Sequence, residues 1–215
     1  MRRLFIPLNA YNVERTLQMT LFSYVVRYDF GFAPNPFHDW CTLADCKPQI
    51  RESAEPGDWI MGTSSMAGRA EQTSRLVYAM QVDETLSFDE YWLDERFTSK
   101  RPNLRGSRML QFGDNIYHHD RETTSWIQED SHHSNDDGTP NEANIKHDIK
   151  ADKVLAGQYF VYFGGSGPEI PGKYSYLVAS RRAYKCLFTE PQVENAVTWL
   201  KSLGSGVQGR PGDWD

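Results

Sequence analysis

RLVYAMQVDETLSFDEYWLDERF, residues 75–97, changes its periodicity halfway along. Its first eleven residues alternate and are rich in apolar side chains, which predicts a strand. Ser87 with Glu90 three residues later is a capping-box pattern, which predicts that a short helix starts there. On that helix Phe88, Tyr91 and Trp92 share one face, and core packing is the simplest use for them. Just upstream, the turn at residues 55–58 leads into WIMGT, a second strand ending near Gly62, and residues 63–74 are small and polar, hence a loop. LFSYVVRYDF (21–30) is a third strand, followed by GFAPNPF (31–37), whose prolines stiffen a turn able to present Asn35 and Phe37. Residues 42–54 read as a short helix restarted near Pro48.

Downstream, regular periodicity is scarce from 98 to 153, apart from a strand or hairpin arm at 109–119. A run of that length in a compact domain is usually functional or disordered, and here it predicts a polar insertion laid across the domain. Residues 154–165 are strand-like, and 174–188 mix strand with short-helix character. A last helix opens at Glu190-Pro191 and ends at Gly204. Residues 1–18 form a weakly patterned leader, 19–204 a single domain, and 205–215 a polar tail expected to fray, although Trp214 could dock. Several short strands with two or three short helices predict an α+β fold, with a small mixed β-barrel as the natural packing.

The 215-residue chain carries a net charge of −6, which argues against indiscriminate nucleic-acid binding but leaves room for a local basic face. Arg96, Lys100, Arg101, Arg105 and Arg108 form one basic cluster, and Arg181, Arg182 and Lys185 a second. No apolar run approaches the ~20 residues of a membrane span. LFIPL after Met1-Arg2-Arg3 is too short for a secretory signal. Three cysteines without a CxxC pair predict free thiols in a reducing cytoplasm.

Residues 113–138, GDNIYHHDRETTSWIQEDSHHSNDDG, hold four of the six histidines among seven carboxylates. Histidine titrates nearest neutrality, and neighbouring carboxylates orient or recharge it, so chemistry is sought there first. A solvated surface loop has the same composition. Metal binding would use His118, His119, Asp120, His132 and His133. Adjacent histidines on a strand point to opposite faces, however, and no HxH or HExxH spacing occurs, so no metal is expected. The phosphate loop, the dinucleotide fingerprint and the zinc-deaminase signature are also missing, so no cofactor is expected.

The segment SYVVRYDFGFAPNPF (23–37), together with GDWIMGT, LVYAMQVDETLSFDEYWLDERF and the DSHHS patch, resembles the nucleotide-modification-associated domain family of the second type. The likeness runs from about Phe22 to Phe163. The order of elements also resembles the PUA-like barrels of the EVE and ASCH groups. Those relatives imply a modified nucleobase as ligand, often in phage or phage-defence settings; they do not by themselves imply a reaction.

A protein acting on a base must take it out of the stack. Trp126, Tyr117 and Phe37 are stacking candidates, with Trp59 and Trp40 behind them, and Asn35 and Asn115 could read a base edge. Cleaving the N-glycosidic bond needs a carboxylate and a group for the leaving base. Asp130 fits the first role, His132 or His133 the second, and Asp114 is the alternative acid. Lys100, Arg101, Arg105 and Arg108 would track the nucleic-acid backbone. The leading expectation is therefore a DNA glycosylase for a modified base, plausibly a hypermodified phage cytosine. A non-catalytic reader of modified bases and an enzyme acting on modified free nucleotides are the alternatives.

Overall fold

The alternation along residues 75–86 does build sheet, but as two strands that belong to different sheets. The computed structural model describes residues 19–65, 74–179 and 184–214. The leader, most of the polar loop after Ser64, and Arg181 and Arg182 therefore lie outside the described residues. In chain order the strands are β1 (Leu21–Val26), β2 (Cys41–Leu43), β3 (Trp59–Ser64), β4 (Leu76–Gln81), β5 (Glu84–Leu86), β6 (Tyr117–His119), β7 (Trp126–Gln128), β8 (Val154–Gly157), β9 (Phe160–Tyr162), β10 (Tyr184–Lys185) and β11 (Gly206–Val207). The α-helices are α1 (Pro48–Ser53), α2 (Phe88–Leu93), α3 (Arg108–Gln111), α4 (Glu142–Asp148) and α5 (Glu190–Ser202).

Six strands form one mixed sheet in the order β10-β1-β3-β4-β9-β11, and β2-β8-β5 form a second, antiparallel one. The parallel pair β1/β3 runs in register from Leu21 opposite Trp59 to Val26 opposite Ser64, with β2 and α1 as its crossover. Period-two alternation sorts these strands between two cores. Leu21, Trp59, Met61 and Ala79 face α5, meeting Val193, Ala196, Val197 and Leu200. Phe22, Tyr24, Ile60, Tyr78 and Met80 face the other way, onto Leu43, Ile50 and Leu155. Each such side chain, fully buried, contributes roughly 1.5–3 kcal/mol.

The expected barrel does not form. The outer strands β10 and β11 are two residues each and lie at opposite ends of the six-stranded sheet. With α5 on one face and the smaller sheet and α1 on the other, both faces are covered without closure. Gly157 ends β8 where the backbone passes so close to Gln81 that a Cβ would run into its carbonyl. The predicted helix at 42–54 is confined to α1, because Cys41–Leu43 pair with β8. The capping box at Ser87 and Glu90 forms as expected, and α2 continues into a 3-10 segment at Glu95–Lys100.

The insertion is not structureless. It carries α3, the β6/β7 hairpin and α4, and its Ile116, Tyr117 and Ile145 share a core with Phe88, Tyr91 and Phe97 of the preceding segment. Lys100 seats it on the domain: its ammonium, fully buried, donates to Asn35 O at 3.0 Å, Asn35 Oδ1 at 2.9 Å and Trp40 O at 2.9 Å. The tail packs as well, with Trp214 Nε1 donating to Phe30 O at 2.7 Å and Gly212 N to Asp29 Oδ2 at 3.0 Å.

Lys100→Met should lower the unfolding free energy by on the order of 3 kcal/mol, because buried acceptors lose a charged donor. Arg105→Met, at an exposed site, should change it by less than about 0.5 kcal/mol. Burial holds the Lys100 ammonium down to about 8. The unfolded chain therefore binds the extra proton between about pH 8 and 10.5, and stability from this group rises with pH there. Urea titrations should show the gap between wild type and Lys100→Met widening by about 1 kcal/mol from pH 7 to 9.

Candidate functional site

Helix α4 opens on Asn141, whose Oδ1 accepts the N–H groups of Ala143 and Asn144 at 3.1 Å each. Its spacing places Asn144, His147 and Asp148 on one face. The far end of the helix is fixed from below by Arg51 of α1. This fully buried guanidinium donates to the carbonyls of Cys46 at 2.8 Å, Ala151 at 2.6 Å and Lys153 at 2.7 Å, and also to that of Asp148. The same side chain thus ties the end of α4 to the turn that precedes α1. In that turn Cys46 and Lys47 both take left-handed backbone angles, φ 59° and 43°, which is uncommon for non-glycine residues and costs on the order of 1–3 kcal/mol each.

The loop after β7 brings His133 between these two elements. Its Nδ1 lies 2.8 Å from Asp148 Oδ2, and its Nε2 lies 3.8 Å from Cys46 Sγ. Its carbonyl accepts Asn144 Nδ2 at 2.8 Å, so the imidazole is held by both its ring and its backbone. Asp148 is fully buried and fully used, with Oδ1 accepting Cys46 N at 2.9 Å and Oδ2 also accepting the Tyr117 hydroxyl at 3.1 Å. Burial alone would raise its pKa; the hydrogen bond and charge of His133, the Cys46 N–H and Arg51 outweigh that and hold it below the usual carboxylate range. Burial and the nearby Asp148 and Asp45 carboxylates push the Cys46 thiol up, so it is a protonated thiol at neutral pH.

Asp45 is the residue left over. It is fully buried, and neither carboxylate oxygen has a hydrogen-bond partner. Burial and repulsion from Asp148 and Asp114 raise its pKa well above the ordinary value. Asp45, His133 and Asp148 each offer a ligand atom within 4.8 Å of the others. Among the described residues these three could hold a divalent ion, and an oxygen-rich set with one imidazole suits zinc, iron or manganese.

Above this group opens a cleft of about 1040 Å³. Cys46, Lys47, His133, Asn144 and His147 line it together with the rings of Tyr28, Phe30, Phe32 and His132. His132 is exposed and sits 4.7 Å from the Phe30 ring and 5.4 Å from Phe32, while Phe32 lies 4.6 Å from His133. Burial and the neighbouring His133 keep the His132 pKa low, so His132 presents a neutral ring. The result is an aromatic pocket with acid–base groups within reach, the usual composition of a small-molecule site.

Of the residues singled out in the sequence, His132 and His133 reach this cleft. Asp114 is fully buried, accepting Thr42 Oγ1 at 2.6 Å and the Tyr91 hydroxyl at 2.8 Å. Asn115 donates inward to Tyr91 O at 2.9 Å, and Asn35 donates to Phe112 O at 3.0 Å. Neither amide has an edge to offer a base. Phe37 is buried against Trp214, and Tyr117 is buried with its hydroxyl on Asp148. Trp126 packs on His119 at 3.8 Å and on Phe88, away from the cleft lining. Asp130 is exposed and lies beside Gly138. Lys100 cannot track phosphates from its buried position, and Arg101 lies over the Trp92 ring at 3.9 Å. Arg105 and Arg108 are exposed. His118 and His119 pair with Glu129 and Asp89, both at 2.9 Å, so the two histidine pairs do not converge.

The residues missed by sequence reasoning are Cys46, Asp148, Asn144, His147, Phe30 and Phe32. The helical spacing of Asn144, His147 and Asp148 was a usable signal. Nothing in the local sequence ties Cys46 to a histidine 87 positions away.

Asp148→Asn should cost about 1–3 kcal/mol of stability by urea titration, because one orientation of the amide sets its NH2 against the Cys46 N–H, and the other turns it towards Tyr117 and His133 and removes the charge that pairs with the imidazole. An unchanged midpoint would mean that the carboxylate does not make these bonds.

No curated protein and no solved structure matches the chain. Among the described residues no helix is long and apolar enough to cross a membrane. The family model for nucleotide modification associated domain 2 matches residues 18–215, taking in the cleft, α5 and the docked tail that the resemblance read from sequence had left out. The chain belongs to the nucleotide modification associated domain 2 family.

Proposed function

We propose that the cleft receives a modified nucleobase rotated out of DNA, and that His133, oriented by Asp148, is the acid–base group that acts on it. The observation that carries this reading is the opening of the His133–Asp148 pair into a pocket walled by Phe30, Phe32 and His132. Aromatic faces accept any base, and each stack is worth about 1–3 kcal/mol. Family membership supplies the nucleotide context. The modified cytosines of phage DNA remain the proposed ligand, with the exposed Arg105 and Arg108 as proposed backbone contacts. The reducing cytoplasm is the compartment in which the three free thiols would stay reduced.

Excision of the base asks for a carboxylate facing the sugar carbon. Among the described residues that line the cleft, none is Asp or Glu. Hydrolysis would therefore run through His133 itself, with Asp148 fixing its Nδ1 proton so that Nε2 can accept one.

The test pairs phage DNA carrying glucosylated or other hypermodified cytosine with unmodified DNA of the same sequence. Modified DNA should be retained at least ~10-fold more tightly, a preference that Phe30→Ala and His132→Ala each reduce by about 5-fold or more. Alkali cleavage would read abasic sites and mass spectrometry the released fragments. Equal retention of both DNAs would sink the reading. Retention of free modified nucleotide alone would assign the protein to the nucleotide pool.

A further inference from the structure

Cys46 has no part in reading a base, yet it is the most elaborately placed side chain in the cleft. Two consecutive left-handed residues turn the chain there, its N–H is fixed on Asp148 Oδ1 at 2.9 Å, and its carbonyl is fixed on Arg51 Nε at 2.8 Å. Strain of this kind persists only where surrounding structure enforces it, and it clusters at reactive groups. The sulfur lines the cleft and faces His133 Nε2 at 3.8 Å, while Nδ1 of the same ring faces Asp148 at 2.8 Å. A nucleophile within reach of a base, and the base oriented by a third group, is the general arrangement of an activated thiol.

We propose that Cys46, His133 and Asp148 form a nucleophile–base–orienter triad that hydrolyses an acyl substituent, an amide or ester, carried by the base in the cleft. This rests on the reading that the cleft takes a modified base, and it names the bond that is cut. The thiol proton passes to His133 Nε2 as sulfur bonds to the carbonyl carbon. Collapse of the adduct breaks the bond to the exocyclic nitrogen or oxygen of the base, and His133 returns the proton to that leaving atom. Water then gives a proton to His133 and attacks the thioester. The carbon–sulfur bond breaks, and the thiolate takes the proton back. One water is consumed, and a carboxylic acid and a deacylated base are released, with no oxidant or cofactor. Sulfur suits an acyl carbon, and with no carboxylate among the described lining residues the sugar carbon has no partner in the cleft.

Asp45 supports the rival use of the same corner, since with His133 and Asp148 it could hold an ion. An ion held through His133 Nδ1 would displace the bond to Asp148 Oδ2 that orients the ring. The experiment must therefore separate thiol from metal.

The full chain would be mixed with p-nitrophenyl acetate, and separately with an oligonucleotide carrying N4-acetyldeoxycytidine, with intact-mass and peptide analysis after acid quench. A stoichiometric burst of nitrophenol is expected, with the acetyl group on the peptide containing Cys46. Free deoxycytidine should appear in the oligonucleotide. Cys46→Ser and Cys46→Ala should abolish the burst, His133→Gln should slow it by about 10²–10⁴-fold, and Cys186→Ser should leave it intact. Chelator should change nothing. The proposal is overturned if no acetyl reaches Cys46 from either reagent in protein whose urea midpoint is normal. It is equally overturned if chelator stops deacylation, zinc or manganese restores it, and Asp45→Asn is as damaging as Cys46→Ala. An acetylated Cys46 from the ester, in protein that does not distinguish modified DNA, would support the triad and remove the base-binding reading instead.

Discussion

The buried guanidinium of Arg51 is the constraint on which the rest of this structure depends. Four backbone carbonyls, from Cys46, Asp148, Ala151 and Lys153, converge on it. A planar cation with five donors can satisfy several acceptors at once, which a lysine or a water could not do in the same space. Beside it stands Asp148, whose negative charge offsets the cost of burying a cation. The turn that presents the thiol and the helix that presents the carboxylate are consequently set by one side chain. The separation between them follows from covalent geometry rather than from the fit of a loop.

The insertion uses the same device a second time. Lys100 closes the gap between the insertion and the loop at Asn35, and Asp114 sits nearby, buried on Tyr91 and Thr42. Burying such groups is expensive unless every one of them is hydrogen-bonded, and these are. What is gained is definition. The β6/β7 hairpin and α4 have few apolar residues of their own, and polar anchors with directional bonds decide where they lie. His133 inherits that placement through Gln128 and Asn144, which both reach its carbonyl.

The cleft combines two features that rarely serve packing alone. Its aromatic rings run from the core to the surface, with Phe32 buried and Tyr28 60% exposed. Its ionisable groups are wired in series from a buried carboxylate to an imidazole to a thiol. A rigid scaffold of two sheets and α5 lies beneath, so a ligand would meet a preformed surface. Membership of a nucleotide-modification family and a cleft of this composition point the same way, through independent observations.

Some of this was legible in the chain itself. Runs of apolar, aromatic and β-branched residues placed β1, β3 and β4, because such side chains suit a pleated strand whose two faces are both covered. The capping box at Ser87 and Glu90 is a local hydrogen-bond pattern, and it formed where the letters said it would. Histidine richness drew attention to His132 and His133. Closure of the sheet was not legible, because it depends on what covers each face. Asp114, Asn35, Asn115 and Lys100 are buried anchors for one physical reason the letters do not show: polar residues in a stretch without periodicity look solvent-exposed, and only the folded chain brings their partners to them. Cys46 and Asp148 lie 102 positions apart, and no local pattern joins them. The sequence by itself determined which segments could be strands and helices, since those preferences act over a few residues. The site was decided by tertiary structure alone, through the convergence of long-range hydrogen bonds on Arg51.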